Sequence, residues 1–139
     1  MFDILDPKKR TTKTKILIVD DEPNIVETLK ARLEVNDYEV FTASNGSEGL
    51  QIALDERPDV ILLDIIMPVM DGHEMLEAFR RDPGSGNSSI IMLTAKHQIE
   101  DIERASDSGI DDYIIKPFDM SKLLEKIESV MENNKSAAE

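Results

Sequence analysis

This chain predicts a three-layer α/β sandwich around a parallel five-stranded sheet, and three observations carry the expectation. Its apolar residues fall in short, nearly continuous runs; the stretches between those runs have helical spacing; and the two kinds of segment alternate five times. Short continuous runs suit strands covered on both faces, and strict strand–helix alternation implies right-handed crossovers between parallel neighbours.

In order, the first strand is expected over Ile16–Val19 and the first helix from the spacing of Ile25, Leu29 and Leu33, with Pro23 suited to its opening turn. Tyr38–Phe41 is a more mixed second strand, followed by a helix marked by Leu50, Ala53 and Leu54. Val60–Leu63 is the third strand, and Leu76 and Phe79 mark the third helix. The stretch Pro-Gly-Ser-Gly-Asn at 83–87 is a loop by its turn chemistry. Ile90–Leu93 is the fourth strand, Ile99, Ile102 and Ala105 the apolar face of a fourth helix, and Gly109 falls just after that helix ends. Tyr113–Ile115 is the fifth strand, and Leu123, Ile127, Val130 and Met131 line the last helix.

Composition bounds the function. At 139 residues, 40% hydrophobic and 32% charged, the chain suits one domain with a single core. We place that domain at 15–132, between a flexible basic arm over 1–14, with Lys8, Lys9, Arg10 and Lys13, and a flexible tail or start of a linker over 133–139. With 29 acidic against 16 basic side chains the net charge is −13, which opposes direct contact with nucleic acid or an anionic membrane. Cysteine is absent and no stretch has the apolar length of a membrane span, so a cytoplasmic protein is expected.

In a parallel sheet the carboxyl ends of all strands gather along one edge, where ligands of open α/β folds bind. The first strand ends in Asp20 and Asp21 with Glu22 next, the third in Asp64, the fourth in Thr94, and the fifth in Lys116 and Pro117. Crowded carboxylates repel, and one would take up a proton unless a cation joined them. A hard divalent ion with oxygen ligands and water, Mg²⁺ before Ca²⁺, meets that need, whereas two histidines and no cysteine supply zinc poorly. A metal, an ammonium and a hydroxyl also suit a phosphoryl group. No glycine-rich phosphate loop is present, since Gly46 and Gly49 stand alone in "NGSEGL". What remains is a carboxylate that itself accepts phosphorus, and Asp64 is the expected acceptor.

The stretches "ILIVDDE" at 16–22, "DIIMPVMDG" at 64–72, "LTA" at 93–95 and "KPF" at 116–118, in that order on the expected strand ends, resemble the receiver domain of two-component response regulators over roughly 15–132. The resemblance, closest to single-domain chemotaxis-type regulators, implies a flavodoxin-like sheet of order 2-1-3-4-5. It implies an aspartyl phosphate taken from a histidine kinase or phosphotransfer protein, and a signal passed to a downstream protein or output domain, with homodimers a possibility by analogy. By the same resemblance Asp64 is the phosphoacceptor, Asp20 and Asp21 hold Mg²⁺ directly or through water, and the backbone carbonyl of Ile66 is a further metal ligand. Thr94 and Lys116 resemble the phosphate-contacting pair, Tyr113 stands at the switch aromatic, and the bond before Pro117 is one the family usually holds cis.

Other positions have humbler readings. Asp71 suits an N-cap for a helix starting near Gly72, with glycine permitting the turn and Pro68 fixing one dihedral of the loop. His73 and His97, lone histidines at helix starts, are expected to be exposed and receive no role. Ile66 and Lys96 stand where faster family members carry polar or acidic residues, so slow loss of the phosphate is expected. Charge on Asp64 would draw the Thr94 hydroxyl inward, let the Tyr113 ring follow, and repack the surface of the fourth helix, fifth strand and fifth helix. Two rivals remain: a haloacid-dehalogenase-type phosphatase, which looks for a second Asp where Ile66 stands, and a pseudo-receiver, which would have lost a key residue. No turnover enzyme is expected.

Overall fold

The computed structural model describes residues 13–95, 100, 103 and 109–138, with side chains to 133. Strands β1 (Lys15–Val19), β2 (Glu39–Ala43), β3 (Val60–Asp64), β4 (Ser89–Ala95) and β5 (Asp112–Lys116) form one sheet. All its pairings are parallel, in the order β2-β1-β3-β4-β5, as expected. Between them run helices α1 (Pro23–Val35), α2 (Gly46–Glu56) and α3 (Gly72–Arg80), and a long C-terminal helix spans Met120–Ala138. The loop expected at 83–87 is a short 3₁₀ turn, Pro83–Asn87. Of the expected fourth helix only Glu100 and Glu103 are described, both helical; Lys96, His97, Ile99, Ile102, Ala105 and the arm before Lys13 lie outside the described residues.

Alternation along the strands builds two cores. Leu17, Val19, Ile61, Leu63, Ile90 and Met92 face α2 and α3, packing on Ala53, Met75, Leu76 and Phe79. Ile16, Ile18, Val60, Leu62, Ile91 and Leu93 face the other way, onto Leu29 and Leu33 of α1 and Leu123, Ile127 and Val130 of the C-terminal helix. Each such aliphatic side chain contributes about 1.5–3 kcal/mol when fully buried. The central strand β3 is buried at every residue, which is why its sequence is a continuous apolar run. The edge strand β2 is half-covered, and its mixed sequence reflects that. It starts one residue later and ends two residues later than expected because its register pairs Thr42 and Ala43 with Ile18 and Val19.

Helix ends follow local chemistry. Pro23 opens α1, and the Asn45 side chain accepts the Glu48 amide of α2 at 2.9 Å. Asp71 caps α3 as expected, with a reciprocal capping box: its carboxylate accepts from the Glu74 amide at 2.9 Å, and Glu74 accepts from the Asp71 amide at 3.3 Å. The C-terminal helix runs on to Ala138, past the boundary at 132 expected for the domain.

Gly72 has a different role from the turn residue expected. It is the first residue of α3, and its N–H donates to the Ile65 carbonyl at 2.7 Å. A β-carbon there would collide with the Asp64 carbonyl oxygen, so glycine is required by close approach of the helix to the end of β3. Gly72→Ala is expected to destabilise the fold by about 1–3 kcal/mol, measured by urea unfolding, because backbone cannot yield as a side chain does.

Candidate functional site

Four of the sequence-predicted residues meet at the carboxyl edge of the sheet. Asp20 directly follows β1, and its amide donates to the Ala43 carbonyl at 3.1 Å, extending the strand's pairing to the edge. Asp64 is the last residue of β3, opposite Leu93 of β4, and Lys116 is the last of β5. One carboxylate oxygen from each of Asp20, Asp21 and Asp64 lies within 4.8 Å of the others, an arrangement able to hold a metal ion. Asp20 and Asp64 are buried, while Asp21 is exposed.

Lys116 reaches across this group. Its ammonium donates to Asp20 Oδ2 at 2.8 Å, to Glu22 Oε1 at 3.3 Å and to Asp64 Oδ2 at 3.4 Å. The same Asp20 side chain accepts the Glu22 amide through Oδ1 at 2.9 Å, which fixes its orientation. Burial works against the Lys116 charge, yet the hydrogen bond it donates to Asp20 and the charges of Asp64, Asp20 and Glu22 together raise its pKa above the ordinary value. Asp64 shows the opposite balance. Burial, with the Asp20 and Asp21 charges adding to it, outweighs the attraction of Lys116 and pushes its carboxyl up to about 6. One ammonium does not neutralise three carboxylates, and this is the electrostatic opening for a divalent cation.

Asp20, Asp21 and Asp64 are hard oxygen donors with no nitrogen or sulfur among them, a set that fits Mg²⁺. Thr94 lies at the same edge, one residue beyond the partner of Asp64 on β4; it is fully buried, and its hydroxyl donates to the Ala95 carbonyl at 3.2 Å. Tyr113 stands apart from the cleft, at the opposite end of β5 from Lys116. Its ring is exposed, with the Lys126 ammonium 6.0 Å from the ring centroid. Ile66 is on the loop between β3 and α3 with its side chain exposed. The Lys116–Pro117 bond is cis.

Two features escaped the sequence reading. Glu22, noted only as the residue after the acidic pair, is a third anionic partner of Lys116. A groove of about 580 Å³ opens beside Lys116, lined in part by Ile25, Leu29, Phe118 and Met120. The helical spacing of Ile25 and Leu29 signalled a packed face, but only the fold shows that Phe118 and Met120 leave part of it open. His73 departs from expectation: it is 4% exposed rather than at the surface, because the first turn of α3 is pressed against the end of β3.

The comparisons with known proteins agree with this geometry. Residues 16–128 match the family described as the response regulator receiver domain. A CheY-like receiver domain protein from Methanospirillum hungatei is 36% identical and superposes with a TM-score of 0.83, covering 90% of this chain and 98% of that one. The receiver domain of a sensor histidine kinase from Pseudomonas aeruginosa, solved with a magnesium ion coordinated in its active-site cleft, is 29% identical with a TM-score of 0.80, over 86% of this chain and 98% of that one. Among curated proteins, the DNA-binding dual master transcriptional regulator RpaA of Synechocystis is 38% identical over 84% of this chain and 48% of its own length. The chain spans about half the length of the curated relatives it matches. Sheet order, acidic cleft, bridging lysine and sequence match coincide along one stretch: the chain belongs to the response regulator receiver domain family.

Proposed function

We propose that Asp64 accepts a phosphoryl group from the imidazole of a histidine kinase or phosphotransfer protein, and that the phosphorylated chain signals to a downstream protein or output domain. The carrying observation is the cluster of Asp20, Asp21 and Asp64 with the Lys116 ammonium between Asp20 and Asp64. Asp20, Asp21, Asp64 and the backbone carbonyl of Ile66 would hold Mg²⁺, which supplies charge neutralisation on the phosphoryl oxygens.

An Asp64 carboxylate oxygen attacks phosphorus, the phosphorus–nitrogen bond breaks, and its electron pair returns to the imidazole nitrogen, which takes up a proton. Lys116 turns its ammonium from the carboxylates to the incoming phosphoryl oxygens, acting as a point charge rather than a base. Thr94 donates its hydroxyl to the same group, and the Tyr113 ring follows it inward, repacking the face that β5 shares with its neighbouring helices. A bias of about 1–3 kcal/mol on an existing two-state equilibrium is enough. The action is stoichiometric, and the setting is the cytoplasm. Among the described residues no helix is long and apolar enough to cross a membrane.

Incubation with acetyl phosphate and Mg²⁺, read by intact mass, tests this. One labile phosphoryl adduct on the wild type and none on Asp64→Asn is the expected result; continuous turnover, or no adduct, overturns it. A second prediction concerns lifetime. Ile66 exposes an apolar side chain two residues past the acceptor, where it cannot hydrogen-bond an attacking water. Ile66→Asn is expected to speed decay of the acyl phosphate several-fold, followed by loss of the mass adduct over time.

A further inference from the structure

Glu22 stands at the N-cap of α1, the position where a side chain ordinarily accepts an amide of the first turn, yet it makes no such bond. Glutamate is not among the residues favoured there, which are the short serine, threonine, asparagine and aspartate. Its backbone is nevertheless engaged on both sides. The amide donates to Asp20 Oδ1 at 2.9 Å, and the carbonyl accepts from the Ile25 and Val26 amides, both at 3.1 Å. The side chain serves another purpose: it turns to Lys116, whose ammonium donates to Glu22 Oε1 at 3.3 Å.

The three anionic partners of Lys116 differ in what else they can do. Asp20 and Asp64 belong, with Asp21, to the carboxylates able to hold a metal ion, and Glu22 does not. The Glu22 side chain is 58% exposed, against none for Asp20 and 9% for Asp64, and it lines the groove beside Lys116. The Asp20 contact is the shortest of the three at 2.8 Å, so in the metal-free cleft the ammonium sits on carboxylates that a cation would need. When Asp20 and Asp64 turn to a divalent ion, the ammonium loses two acceptors and meets a second positive charge at close range. Glu22 is the acceptor that remains. Without it Lys116 would compete with the ion for Asp20 and Asp64, or swing into solvent and have to return before it could meet a phosphoryl group.

Holding the ammonium works against the next step. A carboxylate that binds Lys116 opposes its transfer to phosphoryl oxygens, and its charge repels an anionic donor. We propose that Glu22 is a positioning residue for Lys116: it draws the ammonium off Asp20 and Asp64 so that Mg²⁺ can enter, and keeps it beside the cleft until a phosphoryl group takes it. This role rests on the phosphoacceptor reading above and gives the lysine its resting place within it.

Two variants test it. Glu22→Gln removes the charge, whereas Glu22→Asp keeps the charge but suits the N-cap, and so moves it from Lys116 to the helix amides. The measurements are the Mg²⁺ dissociation constant, from chemical-shift titration without a phosphodonor, and the rate of labelling by acetyl phosphate at saturating Mg²⁺. Both variants are expected to bind Mg²⁺ about threefold more weakly and to be labelled about threefold faster, the size that an exposed ion pair allows. Damage to the cleft would lower both quantities, so their opposite movement marks a role played through Lys116. Wild-type behaviour in Glu22→Asp, with the changes confined to Glu22→Gln, would mean that charge alone acts through space and would overturn the proposal. Unchanged values, or slower labelling, in both variants would overturn it too. A wild type that acetyl phosphate cannot label would instead remove the phosphoacceptor reading itself, and this inference with it.

Discussion

Asp64→Asn is expected to abolish the acyl phosphate and, at neutral pH, to make the metal-free protein more stable than wild type. The reason is the raised carboxyl of Asp64, about 6 against an ordinary 3.8. A carboxylate whose folded pKa lies above its unfolded value binds protons more tightly in the folded state, so stability falls as pH rises between the two values and stays lower above them. The shift caps the penalty at about 3 kcal/mol; screening at the open mouth of the cleft reduces it to about 1–2 kcal/mol. Asparagine fills the same space without the charge. Its advantage in urea midpoint should therefore be absent near pH 4, grow through pH 5 and 6, and be complete by about pH 7. Saturating Mg²⁺ should reverse the order, since the ion stabilises the carboxylate form by mass action. Equal stability of the two proteins at neutral pH without metal would mean that the cleft does not penalise the Asp64 charge.

Lys116→Met is expected to have the largest destabilising effect at the site, about 2–4 kcal/mol at neutral pH without metal. Methionine keeps the stem's packing but leaves Asp20, whose side chain has no exposure, without the ammonium that donates to it at 2.8 Å. The raised pKa of Lys116 sets the pH window: its stabilising charge is fully present below its ordinary value and is lost only as pH rises through the higher folded value. The deficit of the variant should thus be constant across neutral pH in thermal unfolding. It should shrink at acid pH, where the freed carboxylates protonate. Millimolar Mg²⁺ should recover much of the stability, because the ion replaces the missing positive charge, yet phosphorylation by acetyl phosphate should stay slow without the ammonium to meet the phosphoryl oxygens.

Both variants act on residues that were legible in the sequence, and the reason is topological. Asp20, Asp64, Thr94 and Lys116 each sit at the carboxyl end of an apolar run, and a parallel sheet gathers such ends whatever the order of its strands. The buried central strands were equally plain, because two covered faces demand continuous Val, Ile and Leu. The edge strand β2 was misjudged by one residue at its start and two at its end, since a half-covered strand has weak patterning and its limits come from register with β1. His73 misled for a related reason: its burial depends on where α3 lands, which no local spacing encodes. Glu22 was visible, but its contact with Lys116, 94 residues away, belongs to the folded state.

By itself, then, the amino-acid order determined the layers, the strand-end chemistry and a candidate acceptor, because hydrophobic period and strand polarity are local properties that survive without coordinates. Tertiary structure alone decided the charge balance among Asp20, Asp64 and Lys116, the glycine demanded by close approach at residue 72, and the burial of His73. These depend on distances of a few ångströms between groups on different elements, and Coulomb energy and steric exclusion both change steeply over such distances.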